Sequence, residues 1–179
     1  AHGDEVRDWL VHPPQTNEVG RSSALLGGLL SIAANASSTG APLHLLELGA
    51  SAGLNLRWDR YGFRLGGLLW GDAASPVQLR PRWSGPPPPL AAITVASRRG
   101  CDLRPVDVRD AVARARLVAF VWADHTERLQ TLRAALQLAQ RDDLRIETAD
   151  AADWLEARLR PPLAAGATVV FHSSVWNYL

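Results

Sequence analysis

The sequence predicts an α/β domain of three layers built on a largely parallel sheet. Three observations carry that expectation. Leu43–Leu48 is a short apolar run broken only by His44 and Glu47, and Gly49, Ala50, Ser51, Ala52 and Gly53 follow at once. This is the pattern of a strand buried on both faces entering a tight turn. From Leu117 onward, apolar runs alternate with stretches of helical period, as strand–helix–strand crossovers require. The chain's 179 residues, 47% hydrophobic and 21% charged, suffice for one domain with its own core.

Taken in order, Thr16 and Asn17 are capping types ahead of Leu25, Leu26, Leu29 and Leu30. Their spacing predicts a helix from about Glu18 to Ile32. Gly27 and Gly28 would each weaken it by roughly 1 kcal/mol relative to alanine, which close packing of a neighbour there would explain. Residues 57–116 read as an irregular insertion, with a small antiparallel flap and a stiff connection at Pro86–Pro89. Leu117–Trp122 reads as the second core strand, with Asp124 capping a helix and Glu127 in the capping-box position. Leu144, Ile146 and Thr148 mark a third strand, and Asp150 caps a helix that Pro161 and Pro162 stop. Ala167–Phe171 is the fourth strand, leading into His172, Ser173 and Ser174. An alternative places the second strand at Trp58–Leu65, with Asp59 at its site.

Composition excludes several classes. Nineteen basic residues, all arginine, oppose 18 acidic ones for a net charge of +1, so no global field draws the chain to nucleic acid or anionic membrane. Cys101 is the single cysteine and permits neither an internal disulfide framework nor a thiolate metal cluster. The five histidines show no paired helical spacing, so no metal is expected. No apolar run approaches the roughly 20 residues that span a bilayer. A reducing cytoplasm is the expected location. The chain starts at Ala1 without methionine, which points to a longer parent polypeptide.

The glycine turn does not fit a dinucleotide fingerprint, because Ser51 and Leu54 fall in its second and third glycine positions. A triphosphate loop would need a lysine, and there is none. What remains, Glu47-x-Gly49-x-Ser51-x-Gly53, resembles the first motif of class I S-adenosylmethionine-dependent methyltransferases. That resemblance implies a methyltransferase-like Rossmann domain with S-adenosylmethionine as cofactor. It implies cofactor contacts from Glu47, Gly49, Ala50, Ser51 and Gly53, ribose contact from Asp124, and adenine contact from Asp150 and Ala151. The bland reading is a tight βα turn, a local partner for Glu47, and two aspartates that only cap helices.

Longer stretches extend the likeness. Gln15-Thr16-Asn17-Glu18, Arg21-Ser22, Leu45–Leu56, Asp59-Arg60-Tyr61, Ser75-Pro76-Val77, Val121–Asp124 and His172–Trp176 resemble a bacterial family of unknown function, domain-of-unknown-function family 2332. Membership implies a methyltransferase-like fold and no established substrate. It also implies a sheet of seven strands ordered 3-2-1-4-5-7-6, so this chain would stop after the fourth core strand. An uncovered sheet edge would then offer a route to an oligomer.

The expected activity is methyl transfer to an unidentified small-molecule acceptor. His172 is the candidate general base, since its reference pKa of about 6.5 suits that task. Asn17, Arg21, Asn55, Asp59, Tyr61, Ser173 and Trp176 are candidates to line the substrate cleft. Two rivals stand beside this reading. Gly49-x-Ser51-x-Gly53 formally matches a nucleophile elbow, with Asp150 and His172 following in triad order. Arginines interleaved with Trp58, Trp70 and Trp83 across the insertion suit a nucleic-acid or protein-interaction module.

Overall fold

A computed structural model of the chain describes residues 14–37, 40–161 and 163–175, together with Gly3, Arg7 and Leu10. The main sheet is built from β1 (Leu43–Leu48), β5 (Val95–Asp102), β6 (Glu147–Thr148) and β7 (Ala167–His172), and all its strand pairs are parallel. Their order across the sheet is β6-β5-β1-β7. A smaller sheet holds β2 (Gly62–Leu65), β3 (Leu68–Gly71) and β4 (Gln78–Leu79), with β2 in the middle. The helices are α1 (Arg21–Ser37), α2 (Ala111–Ala119), α3 (Thr126–Ala139) and α4 (Ala151–Leu159), and a 3-10 helix spans Asn55–Arg60.

The alternation of β1 side chains sets the layers. Leu43 and Leu45 enter the larger core, with Leu26, Leu29 and Leu30 of α1 and Leu132, Ala135 and Leu136 of α3. Leu46 enters a smaller core with Cys101 and with Trp154 of α4. Helices thus cover both faces, as a parallel sheet requires. Gly27 makes room for an indole rather than a backbone, for a Cβ there would stand 2.8 Å from Trp83 Cη2.

The second core strand is not where the sequence suggested. Leu117 and Val118 belong to α2, which begins where the Asp110 side chain accepts a hydrogen bond from Val112 N–H. Phe120–Trp122 continue beyond it, and Trp122 is 75% exposed. The apolar run is therefore the end of an amphipathic helix and an exposed turn. The strand beside β1 is β5, inside the stretch read as insertion. Only three of its eight residues, Val95, Ala96 and Cys101, are apolar, and its polar members are held by specific partners. Arg98 donates from Nε to Leu56 O at 3.0 Å and pairs with Asp59. Gly100 admits Ala50 and Leu56, each within 3.0 Å of where a Cβ would be. The alternative second strand, Trp58–Leu65, divides between the 3-10 helix and β2 of the small sheet.

The remaining expectations need smaller changes. The first helix begins at Arg21 rather than Glu18, the third strand contracts to Glu147–Thr148, and the fourth extends to His172. The flap contains an antiparallel pair, β2 with β3, but β4 joins β2 in parallel. Trp58 stacks on Trp70 beneath it, with ring centroids 5.3 Å apart.

Candidate functional site

The carboxyl ends of the four parallel strands open on one side of the sheet, where ligands bind in open α/β folds. β1 ends there in the turn Gly49–Gly53. Gly49 and Gly53 take the left-handed conformation at φ 64° and 67°, and Ser51 does so at φ 53°. A side chain at this φ is strained, and two bonds hold Ser51 in place. Its N–H donates to Asp102 Oδ2 at 2.8 Å, and its carbonyl accepts from Val106 N–H at 3.1 Å.

A cleft of about 260 Å³ lies against this turn. Gly49 and Ser51 form its floor, and Cys101, Asp102 and Leu103 form one wall at the end of β5. Ala149, Asp150 and Ala151 follow β6, while Ser174 and Val175 follow β7. Arg21 and the Pro14–Thr16 segment complete the rim. Arg21 Nη1 donates to Ser173 Oγ at 3.5 Å, joining the start of α1 to the end of β7. The Asp102 carboxylate receives Ser51 N–H on Oδ2 and Arg104 N–H, at 2.8 Å, on Oδ1. One bond at each oxygen leaves acceptor capacity at both. Asp150 caps α4 by accepting from Ala152 and Asp153 N–H, both on Oδ1.

Asp124 is not part of this site. It sits exposed in the turn between α2 and α3, and its place at the end of the second strand is taken by Asp102. Nor does its side chain cap α3, whose N-cap is His125. Asp102 ends a strand that contains Arg98, Arg99 and Gly100 and shows no apolar run, so no hydrophobic pattern marks it. The apolar run at Leu117 gave the stronger but misleading signal. His172 is exposed, and Ser174 and Val175, not His172, line the cleft. Trp176 lies outside the described residues.

Several residues expected at the cleft instead brace the turn. Asn17 Oδ1 accepts from Leu54 N–H at 2.9 Å, and Tyr61 Oη donates to Leu54 O at 2.6 Å. Asn55 Oδ1 accepts from Ser22 Oγ at 2.7 Å. Burial, the largest influence, pushes the Tyr61 phenol far above its ordinary range, so it remains a neutral donor. Asp59 pairs with Arg98. Gly53 faces packing rather than ligand, since a Cβ there would meet Ile146 Cδ1 at 2.8 Å.

Arg57 ties these parts together. It is fully buried and binds Asp142 through Nε at 3.0 Å and Nη2 at 2.6 Å, a bidentate pair. It also donates to the carbonyls of Gly53 at 2.8 Å and of Ala52 and Ala139 at 3.4 Å each. Burial alone would raise the Asp142 carboxyl, but the Arg57 hydrogen bonds and charge outweigh it and hold the pKa below the usual value.

Two buried polar groups beside the turn have no hydrogen-bond partner among the described residues, Ser51 Oγ and both oxygens of Glu47. No histidine therefore holds Ser51 Oγ, as a hydrolase nucleophile requires. Glu47 is wholly inaccessible. Burial, then the nearby charge of Asp102, raises its pKa well above the ordinary carboxyl value, against the lowering influence of Arg21 and Arg57. Of the interleaved residues, Arg57, Arg60 and Arg98 are paired with aspartates and Trp58 is buried, whereas Arg64, Arg80, Arg82, Arg99 and Arg104 are exposed. Among the described residues, no group of three or more His, Cys, Asp or Glu could hold a metal ion, and no helix is long and apolar enough to cross a membrane.

A family described as "Uncharacterized protein conserved in bacteria (DUF2332)" matches residues 1–179 of the chain. No curated protein and no solved structure matches it.

Proposed function

We propose that this chain, which belongs to the bacterial family DUF2332, binds S-adenosylmethionine in the cleft and directs methyl transfer to a small acceptor. One observation carries the reading. A glycine turn after the central strand faces two carboxylates, Asp102 and Asp150, at the ends of the next two strands across the sheet. The donor set suits an adenosyl group. Asp102 keeps acceptor capacity on both oxygens for a pair of ribose hydroxyls. Asp150, Ala149, Ala151 and Leu103 offer a small apolar slot with one polar edge for a purine. Arg21, on the rim, suits the carboxylate of the amino-acid end, whereas Glu47 is buried and outside the cleft lining.

When bound, S-adenosylmethionine supplies an activated methyl group. The chain's own contribution is to fix the donor and admit an acceptor in line with it, an orientation effect worth several kcal/mol. Among the described residues lining the cleft there is no histidine, so positioning rather than proton abstraction is assigned to this site.

Titration calorimetry with S-adenosylmethionine and S-adenosylhomocysteine tests the reading. Both are expected to bind saturably. Asp102→Ala is expected to weaken each by about 10- to 100-fold, the ~1.5–3 kcal/mol of hydrogen bonds to a charged acceptor. Asp124→Ala should leave affinity unchanged. Absence of binding by either compound at millimolar concentration would overturn the cofactor assignment.

A further inference from the structure

The segment that leaves β5 and the helix that follows it, α2, enclose a second cavity beside the cleft. Arg116 and the helix's C-terminal cap, Phe120, stand one turn apart and so share a side of α2, next to Leu117. Leu117 enters the larger core, while Arg116 and Phe120 are half-buried. Opposite them, the segment after β5 is held at two points. Val106 N–H donates to Ser51 O at 3.1 Å, and Gln15 Nε2 donates to Arg104 O at 2.6 Å. The space between is a cavity of about 210 Å³ whose lining includes all six of these residues except Ser51, and no acidic side chain.

The two cations of this cavity lack an anion. Among the described residues, neither the Arg104 nor the Arg116 side chain makes a hydrogen bond or an ion pair. Arg57, Arg60 and Arg98 differ, for each is met by an aspartate. Arg116 Nε is buried with no partner, so the group has lost water on one side without a protein acceptor in return. The rest of its guanidinium borders the cavity, and that planar fork fits a carboxylate. Val106, Leu117 and Phe120 give the same cavity an apolar wall, which suits a hydrocarbon ring beside the charge. The volume lies below the ~300–1,000 Å³ of sites for drug-sized ligands and limits the occupant to about one ring.

We propose that the cavity between β5 and α2 binds a small carboxylate carrying one apolar ring, gripped by Arg116 from the helix and by Arg104 from the facing segment. The site stands whether or not the neighbouring cleft takes an adenosyl cofactor. The two nevertheless adjoin, since Gln15 lines both and Arg104 N–H donates to Asp102 Oδ1 at 2.8 Å.

Calorimetry with sodium benzoate on the whole chain, with no adenosyl compound present, tests the site. Benzoate should bind saturably at millimolar concentration, more tightly than acetate, which lacks the ring, and than benzamide, which lacks the charge. Arg116→Gln should weaken benzoate by about 10-fold or more, the scale of a hydrogen bond to a charged group. Arg104→Gln, at a more exposed position, should weaken it several-fold. Phe120→Ala should weaken benzoate and leave acetate unchanged. Arg64→Gln, at an exposed position of the small sheet, should bind benzoate as wild type does. Absence of benzoate binding, or affinity unchanged in either Arg116→Gln or Arg104→Gln, would overturn the site and leave the cofactor reading standing. Inorganic phosphate binding as tightly as benzoate would overturn the assignment to a ring-bearing carboxylate. Should Arg116→Gln fail to fold, Arg104→Gln decides alone.

Discussion

Arg57 is the side chain whose loss should cost most. Replacing it with alanine would leave Asp142 without its bidentate partner and strip three carbonyls of their donor. Breaking a buried pair from one side typically costs about 3–5 kcal/mol, and denaturant unfolding of Arg57→Ala should show a loss of that order. The same pair sets an acid limit. The folded-state pKa of Asp142 is lowered, so its stabilising contribution is complete above the unfolded carboxyl value. It is lost as pH falls from there through the folded one. Urea midpoints measured across that acidic window should fall for wild type and stay flatter for Asp142→Asn, which starts lower. Gly49 is a second sensitive position. It combines φ 64° with Val175 Cγ2 only 2.8 Å from where a Cβ would sit. Gly49→Ala should cost at least about 1 kcal/mol in backbone strain, with reduced ligand affinity as the cleft floor shifts.

At the level of elements, what could be read from the chain depended on which force holds each one. β1 was legible because its burial is hydrophobic and continuous, and α4 because Asp150 and two prolines punctuate it. β5 was illegible because Val95–Asp102 is held by an arginine paired across to Asp59, by a glycine that lets Ala50 and Leu56 approach, and by strand neighbours on both sides. None of these leaves a period in the sequence. Because the strand beside β1 is β5, the acidic residue at its carboxyl end is Asp102 rather than Asp124. Asn17, Asn55 and Tyr61, expected to line the cleft, instead turn their polar atoms to bracing the turn from beneath. Asp150 caps α4 and lines the cleft proposed for the cofactor. Asp150→Ala should cost about 1 kcal/mol through the lost α4 cap, measurable by thermal unfolding. It should also weaken adenosyl binding by more than the change in folded fraction explains.

Across the whole molecule, stability should be graded outward from β1. This strand has parallel partners on both sides and cores on both faces. Amide exchange at Leu45–Leu48 is therefore expected only through global unfolding. Leu68–Gly71 of β3, an edge strand with Leu69 64% exposed, should exchange by local opening orders of magnitude faster. Hydrogen-exchange mass spectrometry would rank them directly. The grip of Arg57 on both the turn and the exit of α3 has a practical consequence. Any attempt to reshape the pocket from its floor would also unpick the end of a helix packed in the larger core. Retuning ligand preference is thus a task for the wall, at Leu103, Ala149 and Ser174, where side chains can change without tugging on that clasp.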